Sequence, residues 1–280
     1  MNAVDLFNQL KRALTLAVSE AEKEAMIYWL LEHRLQVGPT VVRSGKDVAV
    51  KPADFTDTIN RLNAAEPLQY ILGVAEFYGR TFEVNPSVLI PRPETELIIS
   101  KTLELMGREH IHRVLDIGTG SGCIATILAI ELPHAEIIAT DVSENALQVA
   151  RANATNNHVS IQFLKHDILR EDLLFENLDV IVSNPPYIPE RDKKNMERNV
   201  TAYEPHRALF VPDADPLIFH RALATKSIRV LRPGGLLICE INASLGKESK
   251  EVFNLAGFPN TAIIQDLDQK DRFVTGFTPS

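Results

Sequence analysis

The spacing of apolar positions divides the chain into three stretches of different period. Near the start, Leu6, Leu10, Ala13, Leu14 and Ala17 recur at helical spacing and give an otherwise polar segment one apolar face. Ser19 followed by Glu22 has the form of a capping box, and strong helix formers continue from Ala21 to Leu35 until Gly38-Pro39 stops them. Ala53 to Ala65 repeats the pattern, with Phe55, Ile59 and Leu62 on one side. Three short amphipathic helices make a small bundle that needs a partner surface. Residues 74–93 turn extended through Phe77, Tyr78, Phe82, Val84, Val88, Leu89 and Ile90, with a hairpin turn expected at Gly79-Arg80 and an end at Pro91-Arg92-Pro93. Glu94 to Met106 reads as a helix with acidic residues in its first turn.

From Arg113 onward strands and helices alternate. Strands are expected at 113–117, 136–141, 160–164, 180–183 and 236–240, and helices from near Ser121, Ser143 and Asp215. Pro133 and Pro233-Gly234-Gly235 mark two helix-to-strand corners, and the tail, 261–267 and 272–277, reads as two further strands. Such alternation argues for an α/β domain with a mostly parallel sheet covered on both faces. The expected organisation is a helical domain over 1–73, a hairpin linker over 74–93 and the α/β domain over 94–280.

Composition adds limits. Among 280 residues, 45% are apolar and 24% charged, an ordinary balance for a soluble protein with a sizeable core. Apolar runs such as Leu236-Leu237-Ile238-Cys239 are too short to span a bilayer, and the first residues lack a basic segment followed by an apolar one, so neither membrane nor secretion is expected. Cys123 and Cys239 are far apart and form no CxxC pair, which suits a reducing, cytoplasmic setting. The net charge of -8 disfavours direct nucleic-acid binding and favours a partner with a basic surface. His110 and His112 have no neighbouring ligand cluster, and no metal is expected.

Candidate chemistry begins after the first strand, at Asp116-Ile117-Gly118-Thr119-Gly120-Ser121-Gly122. Glycines at 118, 120 and 122 let backbone pass close to a ligand, and Asp141, closing the second strand, can accept both hydroxyls of a ribose. Dinucleotide sites share this geometry. The spacing here is Gly-x-Gly-x-Gly, and Asp116 supplies a carboxylate that attracts an ammonium, which favours S-adenosylmethionine over a pyrophosphate. Asp167 and Ile168, after the third strand, are candidates for the adenine end, with Ile168 equally readable as a plain core residue.

After the fourth strand comes Asn184-Pro185-Pro186-Tyr187. In an open α/β sheet, ligands lie beyond the carboxyl ends of the strands, which puts this motif opposite the donor loop. Two prolines stiffen it, and Pro185 keeps Asn184 out of helical angles. The side-chain oxygen of Asn184 and the main-chain oxygen of Pro185 are acceptors for an NH2 group, and Tyr187 offers an aromatic face to a planar amide and to nearby positive charge. Asn184, Pro185 and Tyr187 are therefore the catalytic candidates, and all four motif residues are candidates for holding substrate. Aiming a weakly nucleophilic amide at a methyl group needs no general base, because the nitrogen becomes acidic as it is alkylated.

The motif alone does not separate a nucleobase amine from a glutamine side chain. Glu66-Pro67-Leu68-Gln69-Tyr70-Ile71-Leu72-Gly73, Phe77-Tyr78-Gly79, Pro91-Arg92-Pro93-Glu94-Thr95-Glu96 and Tyr203-Glu204-Pro205-His206-Arg207-Ala208-Leu209 resemble, in order, the release factor glutamine methyltransferase family. The resemblance covers nearly the whole chain. It implies a Rossmann-like class I methyltransferase domain with a seven-stranded sheet, its last strand antiparallel, behind a helical domain that grips the substrate. It implies transfer from S-adenosylmethionine, leaving S-adenosylhomocysteine, to the glutamine of the Gly-Gly-Gln loop in release factors 1 and 2. By the same resemblance, Gly118 to Gly122, Asp141, Ile168 and Asn184 contact the donor. The rival readings are an N6-adenine or other nucleic-acid amino-methyltransferase, a donor-binding module without catalysis, and a nicotinamide oxidoreductase.

Overall fold

Asn2 and Ser19 start the first two helices. Asn2 caps α1 (Ala3–Ala13) by accepting from the Val4 N–H at 2.8 Å, and Ser19 caps α2 (Glu20–Leu35) by accepting from Glu22 N–H at 3.2 Å. The second helix stops where Gln36 turns left-handed, with φ 57°. Pro39 opens a further helix, α3 (Pro39–Ser44), at a position where its missing N–H costs nothing. With α4 (Thr56–Asn63) and α5 (Leu68–Leu72) the helices number five here, where periodicity shows three. The additional ones, α3 and α5, are too short to establish a period. Leu6, Leu10, Leu14, Ile27, Leu30, Leu31 and Leu62 form the buried centre.

The computed structural model describes residues 1–280 and divides into two units, Met1–Val74 with Glu197–Tyr203, and Ala75–Met196 with Glu204–Ser280. In the first unit the short returning segment is fixed by Tyr203, whose hydroxyl donates to the Ala64 carbonyl at 3.0 Å. No helix is long and apolar enough to cross a membrane.

The extended stretch is a hairpin of β1 (Val74–Phe77) and β2 (Arg80–Glu83). Its turn lies one residue earlier than expected, at Tyr78 and Gly79, both with positive φ (51° and 70°), the backbone a two-residue hairpin requires. The helix α6 (Leu97–Met106) then leads into the sheet, made of β3 (Arg113–Ile117), β4 (Glu136–Asp141), β5 (Gln162–Lys165), β6 (Leu178–Ser183), β9 (Leu231–Glu240), β10 (Asn260–Gln265) and β11 (Asp271–Phe277). A small parallel pair, β7 (Ile188–Pro189) with β8 (Phe210–Val211), stands apart from it. The connecting helices are α7 (Cys123–Glu131), α8 (Glu144–Asn156), α10 (Ile218–Ser227) and α11 (Gly246–Ala256), while α9 (Arg198–Tyr203) belongs to the first unit.

The sheet order is β10-β11-β9-β6-β3-β4-β5, parallel except for β11, which runs antiparallel to both neighbours. This is the fold of the class I methyltransferases expected from the resemblance. Pro233-Gly234-Gly235 is not a corner. It lies inside β9, where the register against β6 shifts between Leu178 and Val180. A Cβ at Gly235 would come within 2.9 Å of the Arg232 carbonyl, so the bulge is built around the absent side chain. Alternate strand residues face opposite cores. Val114, Val180, Val182 and Ile238 pack under α6 and α7, whereas Leu115, Ile181, Leu237 and Cys239 pack under α10 and α11.

Two features aim this frame at a site. The chain leaves β3 toward β4 on one side and returns to β6 on the other, so the carboxyl ends of β3 and β6 flank a topological switch point. Asn153 of α8, fully buried, accepts from Glu83 N–H at 2.6 Å and donates to the Glu83 carbonyl at 2.9 Å and the Ser121 carbonyl at 2.8 Å. One side chain thereby fastens the hairpin to the loop after β3. Replacing it removes all three bonds, one of them fully buried. Asn153→Leu is expected to cost about 2–4 kcal/mol in urea denaturation, whereas Asn156→Ala, which removes an exposed contact to Glu83, costs less than about 0.5 kcal/mol. Equal effects at the two positions would contradict this role.

Candidate functional site

Two loops leave the ends of β3 and β6 and frame a cleft whose empty volume, mouth included, is about 1080 Å³. That is room for a nucleoside with an extended side chain and part of an acceptor.

The first loop is Gly118–Gly122. Gly118 and Thr119 donate their N–H groups to the Thr140 carbonyl at 2.8 and 2.9 Å, which ties the loop to β4. Gly118 and Gly120 have φ 74° and 56°, and a Cβ on either would meet nothing within 4 Å, so their backbone faces open space. Across from them, Asp141 accepts from Gly120 N–H at 3.0 Å through Oδ2 and from Ser143 N–H at 2.8 Å through Oδ1. Burial raises its carboxyl above the usual range, and the N–H groups of Ser143 and Gly120 pull it back. Each oxygen keeps a lone pair for a ligand.

The second loop is the acceptor motif. Ser183, at the end of β6, donates from its hydroxyl to the Ile117 carbonyl at 2.7 Å and closes the strand pair beneath both loops. Asn184, Pro185 and Pro186 line the cleft. The Nδ2 of Asn184 donates to Thr95 Oγ1 at 3.2 Å, and Thr95 donates to Glu240 Oε2 at 2.6 Å. The Tyr187 hydroxyl donates to the other oxygen of Glu240 at 3.0 Å. Glu240 ends β9 and is 2% exposed. Burial raises its carboxyl, while the two hydroxyl donors and the charge of Arg272 oppose the rise. Burial and the adjoining carboxylate raise the Tyr187 phenol in turn, which keeps it protonated.

Of the residues singled out from sequence, Gly118, Thr119, Gly120, Ser121, Asp141, Asp167, Ile168, Asn184, Pro185 and Pro186 lie on one cleft wall or another. Asp116, Gly122 and Tyr187 do not. Asp116 is fully buried and accepts from Thr119 Oγ1 at 2.7 Å through Oδ2, so it braces the loop from behind, while its Oδ1 has no hydrogen-bond partner. Gly122 has φ 77°, and its missing Cβ would fall 2.8 Å from Ala150 Cβ; it exists for close packing of α7 against α8. Tyr187 turns its hydroxyl inward to Glu240. Arg92 pairs with Glu204; Glu204 also accepts from Ile90 N–H at 3.2 Å, holding the 90–92 segment to the 204–208 segment at the rim.

Sequence reasoning passed over Glu204 and Glu240, which act from behind the cleft wall, and Thr95, His166 and Arg207, which line it, as participants. The available signal was an acidic residue, Glu240, ending a strand at the same edge as Asp141 and Asn184.

The chain matches the family model of the PrmC N-terminal domain over residues 5–73 and that of the Methyltransferase small domain over residues 95–203. A release factor glutamine methyltransferase of Flavobacterium psychrophilum is 40% identical over 273 residues, 95% of each chain. One of Bacteroides thetaiotaomicron is 44% identical over 237 residues, 82% of this chain and 84% of its own. A crystal structure of a methyltransferase from Pyrococcus furiosus aligns with TM-score 0.54 at 21% identity, covering 81% of this chain and 100% of that one, a likeness of fold.

Two predictions follow from the loop. Burial lifts the Asp116 carboxyl to about 7 from 3.8, against the pull of the Thr119 hydroxyl. Between those values the folded chain binds the proton that the unfolded chain has lost, so this group takes away stability as pH rises from about 4 to about 7. Asp116→Asn should remove that decline, gaining roughly 3 kcal/mol on wild type between about pH 5 and about pH 7.5 in denaturant titrations. Parallel pH curves for the two proteins would contradict it. Both glycines carry positive φ, so alanine strains either, but Gly122→Ala should cost about 1–3 kcal/mol more than Gly120→Ala because only it meets Ala150, whereas Gly120→Ala should weaken ligand binding measured by calorimetry. A Gly122→Ala protein of wild-type stability would refute the packing role.

Proposed function

Because this chain belongs to the release factor glutamine methyltransferase family, we propose that it methylates the side-chain amide nitrogen of the glutamine in the Gly-Gly-Gln loop of release factors 1 and 2, with S-adenosyl-L-methionine as donor. One observation carries the reading for the site: the acceptor loop and the glycine loop border a single cleft, at the ends of adjacent parallel strands.

The residues present suit the donor. Asp141 has free lone pairs for ribose hydroxyls, Gly118 and Gly120 leave backbone open to close approach, and Val142, Ile168 and Leu223 give an apolar wall for an adenine. When bound, the donor supplies a methyl group on a sulfonium. The chain's own part is positioning. Asn184 Oδ1 and the Pro185 carbonyl accept the two N–H bonds of the incoming carboxamide and aim its nitrogen. The same oxygens stabilise the positive charge that grows on that nitrogen. As the N–C bond forms, the nitrogen becomes acidic and its surplus proton passes to water, so no general base is required. Tyr187, tethered to Glu240, keeps the loop in place.

The helical unit, with its own core and its match to the PrmC N-terminal domain, is proposed to grip the release factor. The net charge of -8 supports a partner surface with basic character. Free, buried thiols at Cys123 and Cys239 support a cytoplasmic setting.

Asn184→Ala is expected to lower methylation of an unmodified release factor about 100-fold or more while changing donor affinity by less than about 3-fold. Mass spectrometry of the factor and calorimetry with the donor read the two effects, and wild type should add one methyl, on the loop glutamine. A variant with unchanged turnover would refute the role of Asn184. Labelling of DNA alone would replace this reading with that of a nucleic-acid methyltransferase.

A further inference from the structure

A hydroxyl has one proton to give. Thr95 gives its proton to Glu240 Oε2 at 2.6 Å, and the other oxygen of Glu240 accepts from Tyr187 at 3.0 Å. Toward Asn184, at 3.2 Å, Thr95 has only lone pairs to offer. Only an N–H satisfies them. The amide of Asn184 must therefore turn its NH2 inward and its Oδ1 toward the cleft. The opposite orientation would set oxygen against oxygen at Thr95 and would present N–H groups to a substrate that itself brings N–H groups. Glu240 drives this ordering because both of its oxygens already accept, one from Thr95 and one from Tyr187. Thr95 and Glu240 are 3% and 2% exposed, so water does not compete for these bonds.

We propose that Thr95 and Glu240 are positioning residues that set the polarity of the Asn184 amide, and thereby make the acceptor pocket select a carboxamide and reject a carboxylate. The inference rests on the reading of Asn184 as the group that receives the substrate glutamine. Thr95 borders the cleft with its hydroxyl committed to Glu240, and Glu240 lies behind it, off the cleft wall. They act through Asn184, which has the same shape in either orientation, so polarity has to be imposed by its neighbours. Selection follows because a carboxylate brings only acceptors, and Asn184 Oδ1 and the Pro185 carbonyl are acceptors too.

Glu240→Gln tests this with almost no change of shape. The new side chain keeps an oxygen for Tyr187 and can turn its NH2 to Thr95. The Thr95 hydroxyl then donates to Asn184 instead, and the amide turns over. The full-length wild type, Thr95→Ser, Thr95→Val and Glu240→Gln are compared on an unmodified release factor, with a second factor carrying glutamate in place of the loop glutamine as competitor. In Glu240→Gln, kcat should fall about 10-fold or more, and the relative affinity for the glutamate form should rise about 10-fold, one hydrogen bond's worth of discrimination. Thr95→Val should lose a similar factor in kcat, while Thr95→Ser, which keeps the hydroxyl, should stay within about 3-fold of wild type.

A general loss of structure would lower activity without tightening the grip on glutamate, so the affinity ratio separates positioning from damage. An active wild type with a Glu240→Gln variant of unchanged rate and unchanged ratio would overturn the proposal. A wild type that does not methylate the factor would instead sink the functional reading. The inference is then decided by NMR of asparagine-labelled protein, with the Asn184 side-chain signals identified by their loss in Asn184→Ala. Slow solvent exchange of that NH2 in wild type, lost in Thr95→Val, supports it; fast exchange in wild type overturns it.

Discussion

The parallel pairing of β3 with β6 is the constraint on which the site depends. The pair runs from Val114 opposite Val180 to Ile117 opposite Ser183, and the Ser183 hydroxyl locks its end. Because the chain departs from these two strands in opposite directions, their following loops cannot cover each other, and a crevice opens between them. A loop that suits a nucleoside and a loop that suits an amide are then neighbours by topology. A slip of one residue in this pair would turn Asp116 and Val182 to the other face and move the acceptor loop along the strand axis.

Around that crevice the protein uses buried polar groups sparingly and in connected sets. Asn153 joins the hairpin to the glycine loop, Glu204 joins two rim segments through Arg92 and Ile90, and Glu240 joins the acceptor loop to Thr95 ahead of α6. Each sits where an unpartnered group would be costly, so each narrows the conformations open to its loop. His220 adds a support beneath Glu240: its Nε2 lies 2.9 Å from the Glu240 carbonyl, and burial lowers the ring to about 4, keeping it neutral.

How much of this was legible in sequence follows from the range of the forces involved. The strands, the glycine loop, Asp141 and the Asn-Pro-Pro-Tyr motif are local patterns of apolar period, backbone freedom and loop chemistry, and the chain shows them within a few residues. The pairing of Asn184 with Thr95 spans 89 positions, that of Thr95 with Glu240 spans 145, and that of Arg92 with Glu204 spans 112. No periodicity encodes such partners. The same limit explains the misplaced residues. Gly122 has the spacing of a ligand-binding glycine but answers to Ala150, 28 positions on. Pro233-Gly234-Gly235 has the composition of a corner but sits in a bulged strand, because its neighbour Leu178 lies far back in the chain.

The central claim is a geometry, in which a carboxamide held by Asn184 and Pro185 meets a methyl donor lodged between the glycine loop and Asp141. A crystal structure of this chain with S-adenosylhomocysteine and a peptide containing Gly-Gly-Gln tests it most directly. The account predicts the glutamine nitrogen within hydrogen-bond reach of Asn184 Oδ1 and the Pro185 carbonyl, facing the thioether sulfur. A peptide seated elsewhere, or a nucleoside bound away from Asp141, would contradict it.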